Sequence, residues 1–205
     1  MLWFPMFGAL VALSLYSCAS DRSSSHPLHA QITQCENCHS LATNIPSTAP
    51  SLDGMTEDYL EEQLANFKHA KRGIDPTDAM TLSMSQQAKT LSDEQISLIA
   101  DYYSRRTRQL SKESVSGNAK NGERLYKEQC EGCHSSMLGR YFTNSPRITH
   151  LRGSYLLAQL NQFSKSQRVV VEDSKHKIKM AAVAKNLSES DQSNIVAFIK
   201  EHYTD

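Results

Sequence analysis

The sequence predicts an all-α protein made of two tandem copies of one small helical domain. Its pattern repeats at a constant offset, its apolar residues recur at helical spacing, and no segment alternates as a β-strand would. The 205 residues leave room for two domains of roughly 90 residues each. Domains of that size bury little apolar surface. We therefore expect each copy to need an additional source of stability such as a covalent cofactor.

The internal repeat relates Tyr59 to Tyr155 and Phe67 to Phe163, an offset of 96 residues. A further helix is predicted over 118–129, ahead of the second copy's first motif. A constant register over most of the chain indicates tandem copies of one domain. The predicted segments are a signal peptide at 1–18, a tether at 19–28, the first domain at 29–106, a linker at 107–117 and the second domain at 118–205.

Within each copy we predict a short first helix, an amphipathic middle helix and a closing helix. Leu60, Leu64 and Phe67 lie on one face of the first copy's middle helix. The closing helices begin at the capping residues Ser92 and Ser188. The roughly 20 residues between the middle and closing helices are predicted to form a loop.

The N-terminal run from Leu2 to Tyr16 is almost entirely apolar, and no charged residue precedes Asp21. The run is too short to span a membrane comfortably and fits the hydrophobic region of a secretory signal. Cys18 follows it in the position of a bacterial lipobox cysteine, where lipidation would anchor the mature protein. Ordinary cleavage after Ala19 is the alternative.

Four of the five cysteines form two copies of one motif. The copies are Cys35-Glu36-Asn37-Cys38-His39 and Cys130-Glu131-Gly132-Cys133-His134. C-x-x-C-H is the attachment signature of c-type haem, because two thiols on one helical turn reach the two vinyl groups of a porphyrin. The adjoining histidine then points at the iron. The sequence therefore predicts two covalent haem c groups, each with a histidine as one iron ligand.

Other uses of paired cysteines fit this pattern less well. A tetra-cysteine zinc site would leave both histidines unexplained and would need a shorter gap between the pairs. A thioredoxin-like motif needs a βαβ context, and the sequence has none. Plain disulfides stay open as an alternative in an oxidising compartment.

Each iron needs a second ligand opposite its histidine, and methionine is the usual one in electron-transfer cytochromes. Met84 and Met180 keep the repeat offset, and each lies seven residues before a Leu-Ser pair. They are therefore the favoured ligands of the two irons. The alternatives are Met80 in the first domain and His176, at the matching position, in the second.

The sequence resembles one family through a combination of features. They are both haem motifs, the Pro-x-Leu/Ile loop, the Tyr-Leu…Gln-Leu…Phe helix and the Met before Leu-Ser. The family is the tandem di-haem class I cytochromes c of the bacterial periplasm, the c-four type. The resemblance implies two class I domains, each wrapped around a covalent haem. It also implies that the backbone carbonyls of Pro50 and Pro146 accept hydrogen bonds from the haem histidines. Arg72 and Arg168, at matched positions, are candidates for contacts to the haem propionates or, alternatively, are solvated.

The predicted function is electron transfer in the periplasm rather than catalysis. The resemblance implies a respiratory carrier toward a terminal oxidase or reductase, with a donor such as a quinol–cytochrome c reductase. Open alternatives are a di-haem subunit of a membrane oxidoreductase complex and a peroxidase-like di-haem enzyme. A lipid on Cys18 would attach the protein to a membrane. A net charge of zero argues against a nucleic-acid partner.

Several charged and titratable side chains are predicted to lie on the surface. Lys175, Lys177 and Lys179 surround the second methionine region and are expected to steer an acidic partner. His69 and His150 are expected to be exposed.

Overall fold

The computed structural model describes residues 27–41, 49–168 and 174–203. Within these ranges the chain forms ten α-helices and no β-strand, which confirms the predicted all-α class. None of these helices is both long enough and apolar enough to cross a membrane. The predicted signal peptide and Cys18 lie outside the described residues. The helices are α1 (His29–His39), α2 (Glu57–Lys68), α3 (Ala79–Lys89), α4 (Asp93–Ser104), α5 (Ala119–Gln129), α6 (Glu131–His134), α7 (Met137–Thr143), α8 (Gly153–Ser164), α9 (Lys175–Asn186) and α10 (Glu189–His202).

The middle helices α2 and α8 pack their apolar stripes into the core. Leu60, Leu64 and Phe67 of α2 are buried as predicted, and the matching Leu156 and Leu160 of α8 are buried too. Helix α2 packs against α3 and α4, whereas α8 packs against α9 and α10. The two domains therefore repeat one packing arrangement, as the sequence repeat requires.

Both predicted closing helices begin with a capping box. Ser92 Oγ accepts from the amide of Gln95 at 3.1 Å, and the Gln95 side chain accepts from the amide of Ser92 at 2.9 Å. Ser188 and Asp191 exchange the equivalent bonds at 3.1 and 3.2 Å. These bonds satisfy amide groups that the first turn of a helix leaves unpaired. They therefore fix the residues at which α4 and α10 begin.

The predicted loop between the middle and closing helices is wrong in both domains, because α3 and α9 occupy much of it. Helix α3 buries only Ser85 and Ala88, and α9 buries only Ala184. Helices with so few buried positions lack the apolar stripe that sequence patterns detect. Each of them carries the favoured methionine of its domain, Met84 or Met180.

Helices α5 and α10 cross in very close contact in the second domain. A Cβ atom placed on Gly122 of α5 would lie 1.9 Å from the carbonyl oxygen of Asn194. Next to the crossing, the ring of Tyr126 packs 5.4 Å from the ring of Phe198, measured between centroids. The predicted leading helix over 118–129 is confirmed as α5, and its glycine lets the two backbones meet.

Replacing Gly122 by alanine should destabilise the second domain by about 2–3 kcal/mol, because the added methyl group forces α5 and α10 apart. Urea unfolding of the haem-loaded protein, followed by circular dichroism, measures the change. Gly132→Ala is a matched control, since a Cβ there would meet no atom within 4 Å. Equal stability of the two variants would contradict the packing argument.

Polar contacts join the two domains. Gln162 donates to Asp78 at 2.8 Å, and Asn144 donates to Glu62 at 2.9 Å. Glu62 also forms an ion pair with Lys177. The domains therefore meet at α2 and at the start of α3, where polar groups of the second domain are paired with carboxylates of the first.

Candidate haem-binding sites

Each C-x-x-C-H motif lies on a helical turn that brings its thiols and its imidazole close together. In the second domain, the amides of Cys133 and His134 donate to the carbonyl of Cys130 over 3.2 and 3.0 Å. In the first domain, the motif from Cys35 to His39 forms the end of α1. Both turns can therefore present two sulfur atoms to one flat ligand.

The first cysteine of each motif, Cys35 or Cys130, packs against the apolar core, and no cysteine among the described residues forms a disulfide. Burial raises the pKa of Cys35 to about 11 and the pKa of Cys130 to about 12. Reactive C-x-x-C motifs of the thioredoxin kind have a lowered pKa instead. The environment therefore does not favour a thiolate, and a redox dithiol is a poor fit.

The two motif histidines make the same hydrogen bond. Nδ1 of His39 lies 2.8 Å from the carbonyl oxygen of Pro50, and Nδ1 of His134 lies 2.9 Å from that of Pro146. A carbonyl only accepts, so Nδ1 carries the proton and Nε2 keeps its lone pair. Burial lowers the pKa of both imidazoles, which holds them neutral. A neutral imidazole with a free Nε2 is the form that binds a metal ion.

A large cavity in the second domain contains the predicted site residues. Its empty space, including the part open to solvent, is about 1150 Å³. Cys130, His134 and Pro146 line it, and so do both candidate second ligands, Met180 and His176. Most of its remaining wall is apolar and comes from the loop before α8, from α8 and from α10. Helix α2 of the first domain closes another side with Tyr59 and polar side chains.

The first domain places its candidate methionines differently. Met84 is partly buried and packs against the core, as does Cys35. Met80 is 42% exposed at the start of the same helix, α3. This difference in burial favours Met84, which the repeat register also favours.

Two arginines and two glutamines form a symmetric cluster between the domains. Arg72 donates to Gln63 and Gln159, at 2.8 Å each. Arg168 donates to the same two side chains, at 2.8 Å to Gln63 and 3.0 Å to Gln159. Each guanidinium also stacks on the phenylalanine of its own domain. The four residues keep the repeat offset, so the cluster has the approximate two-fold symmetry of the chain.

This cluster has positive charge without a matching anion. Arg72 is 5% exposed, so its predicted solvated alternative is wrong. The described residues include no ion pair from a carboxylate to Arg72 or Arg168, and the Nε of Arg72 has no hydrogen-bond partner. Burial, and then repulsion from Arg72, lower the pKa of Arg168 to about 10. Buried charges are normally paired, so an anionic ligand group is expected here.

Comparison with known protein families identifies the family to which this chain belongs. The family model for cytochrome c matches residues 29–104 and, separately, residues 119–202. The chain belongs to the cytochrome c family. This cytochrome carries two covalently bound haem c groups, one in each domain, and is a di-haem electron carrier.

This cytochrome is similar to a cytochrome c4 over most of its length and to a second relative over about a third of it. Cytochrome c4 of Pseudomonas aeruginosa is 27% identical over 202 residues, which is 93% of this chain and 94% of the relative. The crystal structure of reduced cytochrome c4 from Pseudomonas stutzeri has a TM-score of 0.66 and 27% identity, covering 83% of this chain and 94% of that one. The cytochrome subunit of sulfide dehydrogenase from Chlorobaculum tepidum is 33% identical over 69 residues, which is 34% of this chain and 56% of the relative. The predicted c-four type is confirmed.

The second-domain cavity of this cytochrome fits a haem on its own chemistry. One wall has the motif cysteine and histidine, and Met180 lies on the same cavity. Arg72 and Arg168 also line it, and they lack the anion that two haem propionates would supply. The apolar remainder suits the macrocycle, and the polar edge suits its carboxylates.

Sequence reasoning missed part of this arrangement. Gln63 and Gln159 belong to the repeated pattern, but nothing in one domain alone indicates that they bind arginines across the interface. The sequence signal that could have indicated this contact is a glutamine at the same position of an otherwise apolar helix face in both copies. The prediction that Lys177 steers an acidic partner is also wrong, because its ammonium group forms an ion pair with Glu62.

His150 is buried, so its predicted surface position is wrong. It is 1% exposed, and neither ring nitrogen has a hydrogen-bond partner. Burial, and then repulsion from Arg108, Arg147 and Lys200, lower its pKa to about 4. The linker holds it in place, because the amide of Ser111 donates to its carbonyl at 3.1 Å.

The buried imidazole of His150 predicts a loss of stability in acid. Between pH 6.5, the usual histidine pKa, and about 4, the unfolded chain binds a proton here that the folded chain does not. Stability present above pH 6.5 should therefore fall by about 3 kcal/mol as the pH drops through that window. Urea unfolding at pH 7.5 and pH 4.5 tests this, and His150→Leu should show a smaller loss. The exposed His69→Leu is the control, and identical pH dependence in all three proteins would contradict the prediction.

Proposed function

We propose that this cytochrome carries electrons between redox proteins in the periplasm, with each iron held by one histidine and one methionine. The first pair is His39 with Met84, and the second is His134 with Met180. The observation that carries the proposal is that His134 and Met180 line one cavity beside Cys130. When bound, haem c supplies one-electron redox chemistry, and a methionine ligand raises its reduction potential.

In this proposal, the side chains around the two haem sites have defined roles. Cys35 and Cys38, and likewise Cys130 and Cys133, would hold the two haems through thioether bonds. The carbonyls of the two prolines keep each imidazole in one orientation and tautomer. Arg72 and Arg168 would neutralise the propionates at the domain interface. Two protein ligands on each iron leave no open position for a substrate, which supports a carrier rather than a peroxidase-like enzyme.

The partners in this proposal are a donor such as a quinol–cytochrome c reductase and an acceptor such as a terminal oxidase or reductase. Cytochrome c4 relatives over most of the chain support a free carrier of this kind. The N-terminal apolar run supports export, and lipidation at Cys18 would tether the carrier to a membrane.

A second candidate is a di-haem subunit of a larger oxidoreductase. The partial similarity to the cytochrome subunit of a sulfide dehydrogenase favours it. Co-purification of a stable partner separates this candidate from a freely diffusing carrier.

A reduced-minus-oxidised spectrum with haem quantitation tests the proposal. We expect two haems per chain, a low-spin spectrum in both oxidation states, and a methionine-to-iron charge-transfer band when oxidised. A high-spin signal in the oxidised protein would indicate an open coordination site and would favour the enzyme alternative. Cys130→Ala with Cys133→Ala should remove one haem and leave the other.

A further inference from the structure

Helix α7 exposes four large apolar side chains in seven residues. Met137 is 75% exposed, Leu138 64%, Tyr141 79% and Phe142 71%. The other large apolar side chains that are exposed in the described residues are single and less exposed, namely Ile74, Met80 and Ile178, at 42–47%. We refer to Met137, Leu138, Tyr141 and Phe142 as the α7 face. Single exposed apolar residues are ordinary, but a contiguous group of this size marks a contact site.

The opposite side of α7 fixes the helix on the second haem motif. A Cβ on Gly139 would lie 2.0 Å from the carbonyl oxygen of Gly132, inside the C-x-x-C-H turn. Ser136 Oγ accepts from the amide of Gly139 at 2.8 Å. Arg140 donates to the backbone carbonyls of His134 and Ser135. Because these contacts hold the inner side, the α7 face stays turned away from the described core.

Positive charge without counter-charge lies at the base of the helix. Arg140, Arg147 and Arg108 lie close enough together to repel one another. The described residues include no ion pair for Arg108, Arg140 or Arg147, and the Nε of Arg147 has no hydrogen-bond partner. Glu131, exposed on α6, is the acidic side chain next to the motif. The surroundings of the α7 face are therefore mainly cationic.

We propose that the α7 face is the docking surface for a redox protein whose own contact face is apolar and rimmed with carboxylates. The proposal rests on the proposed electron-carrier function. Methionine, aromatic residues and arginine are the residue types enriched at the cores of protein interfaces. The face offers on the order of 500 Å² of apolar surface, which is enough for the core of a transient interface.

The position of the face favours a protein partner over a lipid surface. Helix α7 rests directly on the turn that binds the second haem. A protein seated there approaches that haem, and electron transfer becomes faster as the separation falls. A membrane covering the same face would block this approach instead.

Stopped-flow oxidation of the reduced, haem-loaded protein tests the surface with two oxidants. One is an acidic cupredoxin, whose copper lies under an apolar patch rimmed with carboxylates, and the other is the small anion hexacyanoferrate(III). The double variant Tyr141→Ser/Phe142→Ser should lose about tenfold in the second-order rate constant with the cupredoxin. Its rate with hexacyanoferrate(III) should stay within about twofold of the wild type, because the haem environment is unchanged. Ile74→Ser, an exposed apolar residue elsewhere, should leave both rates unchanged.

The outcomes separate the docking surface from the carrier function. An unchanged cupredoxin rate in the double variant overturns the docking proposal. If the double variant keeps its cupredoxin rate but no longer binds phosphatidylglycerol vesicles, the α7 face contacts a membrane instead of a redox protein. A wild-type protein that neither oxidant can oxidise would count against the carrier function itself. Arg108→Gln should weaken the dependence of the cupredoxin rate on ionic strength, and an identical dependence would argue against the charge contribution.

Discussion

Replacing Met180 by histidine should lower the reduction potential of the second haem by on the order of 0.2 V. A thioether is a weak donor that favours ferrous iron, whereas a second imidazole donates more strongly and stabilises ferric iron. Spectroelectrochemical titration should resolve two transitions, of which one moves and the other stays. The methionine-to-iron charge-transfer band should fall to about half, because one of two methionine ligands is lost.

Met137→His is the matched control for this substitution. Met137 is 75% exposed on α7, so the same chemical change there should move neither transition. Met84→His should shift the other transition, while Met80→His should shift none. If Met180→His left both potentials and the band unchanged while His176→Ala altered them, histidine rather than methionine would be the ligand.

The features that follow from local chemistry could be predicted from the sequence. The C-x-x-C-H motifs indicated their cofactor directly, and the apolar stripes of α2 and α8 located the helices that bury Leu60 and Leu156. Helices α3 and α9 were missed because each buries at most two of its residues against the rest of the protein. Their pattern therefore resembles that of a polar loop.

The features that depend on how the two domains meet could not be predicted. The repeat aligned Arg72 with Arg168, but one domain alone does not show that both guanidiniums share two glutamines across the interface. The pairing of Lys177 with Glu62 has the same origin, whereas His150 is contacted by the linker residue Ser111. Each depends on a neighbour distant in the sequence, and no local pattern records such a neighbour.

The shared arginine cluster makes a second large effect testable. Arg72→Gln should lower the reduction potentials of both haems, because Arg72 is hydrogen-bonded to glutamines of both domains. Reduction adds negative charge, which a nearby buried cation stabilises, so removing the cation disfavours the reduced form. A unit charge at the effective dielectric constant of a protein interior, about 20, supports a shift on the order of 50 mV.

Arg168→Gln should have the same effect, since the two guanidiniums occupy equivalent positions. The double variant should shift both potentials further than either single variant does, because both guanidiniums stay charged near neutral pH even though burial and repulsion from Arg72 lower the pKa of Arg168 to about 10. Arg105→Gln is the control, because Arg105 forms an exposed ion pair with Asp101 within α4 and its C-cap. Spectroelectrochemical titration measures the four variants and the wild type. A shift confined to one haem would mean that each arginine serves its own domain, and no shift in either haem would mean that other groups neutralise the propionates.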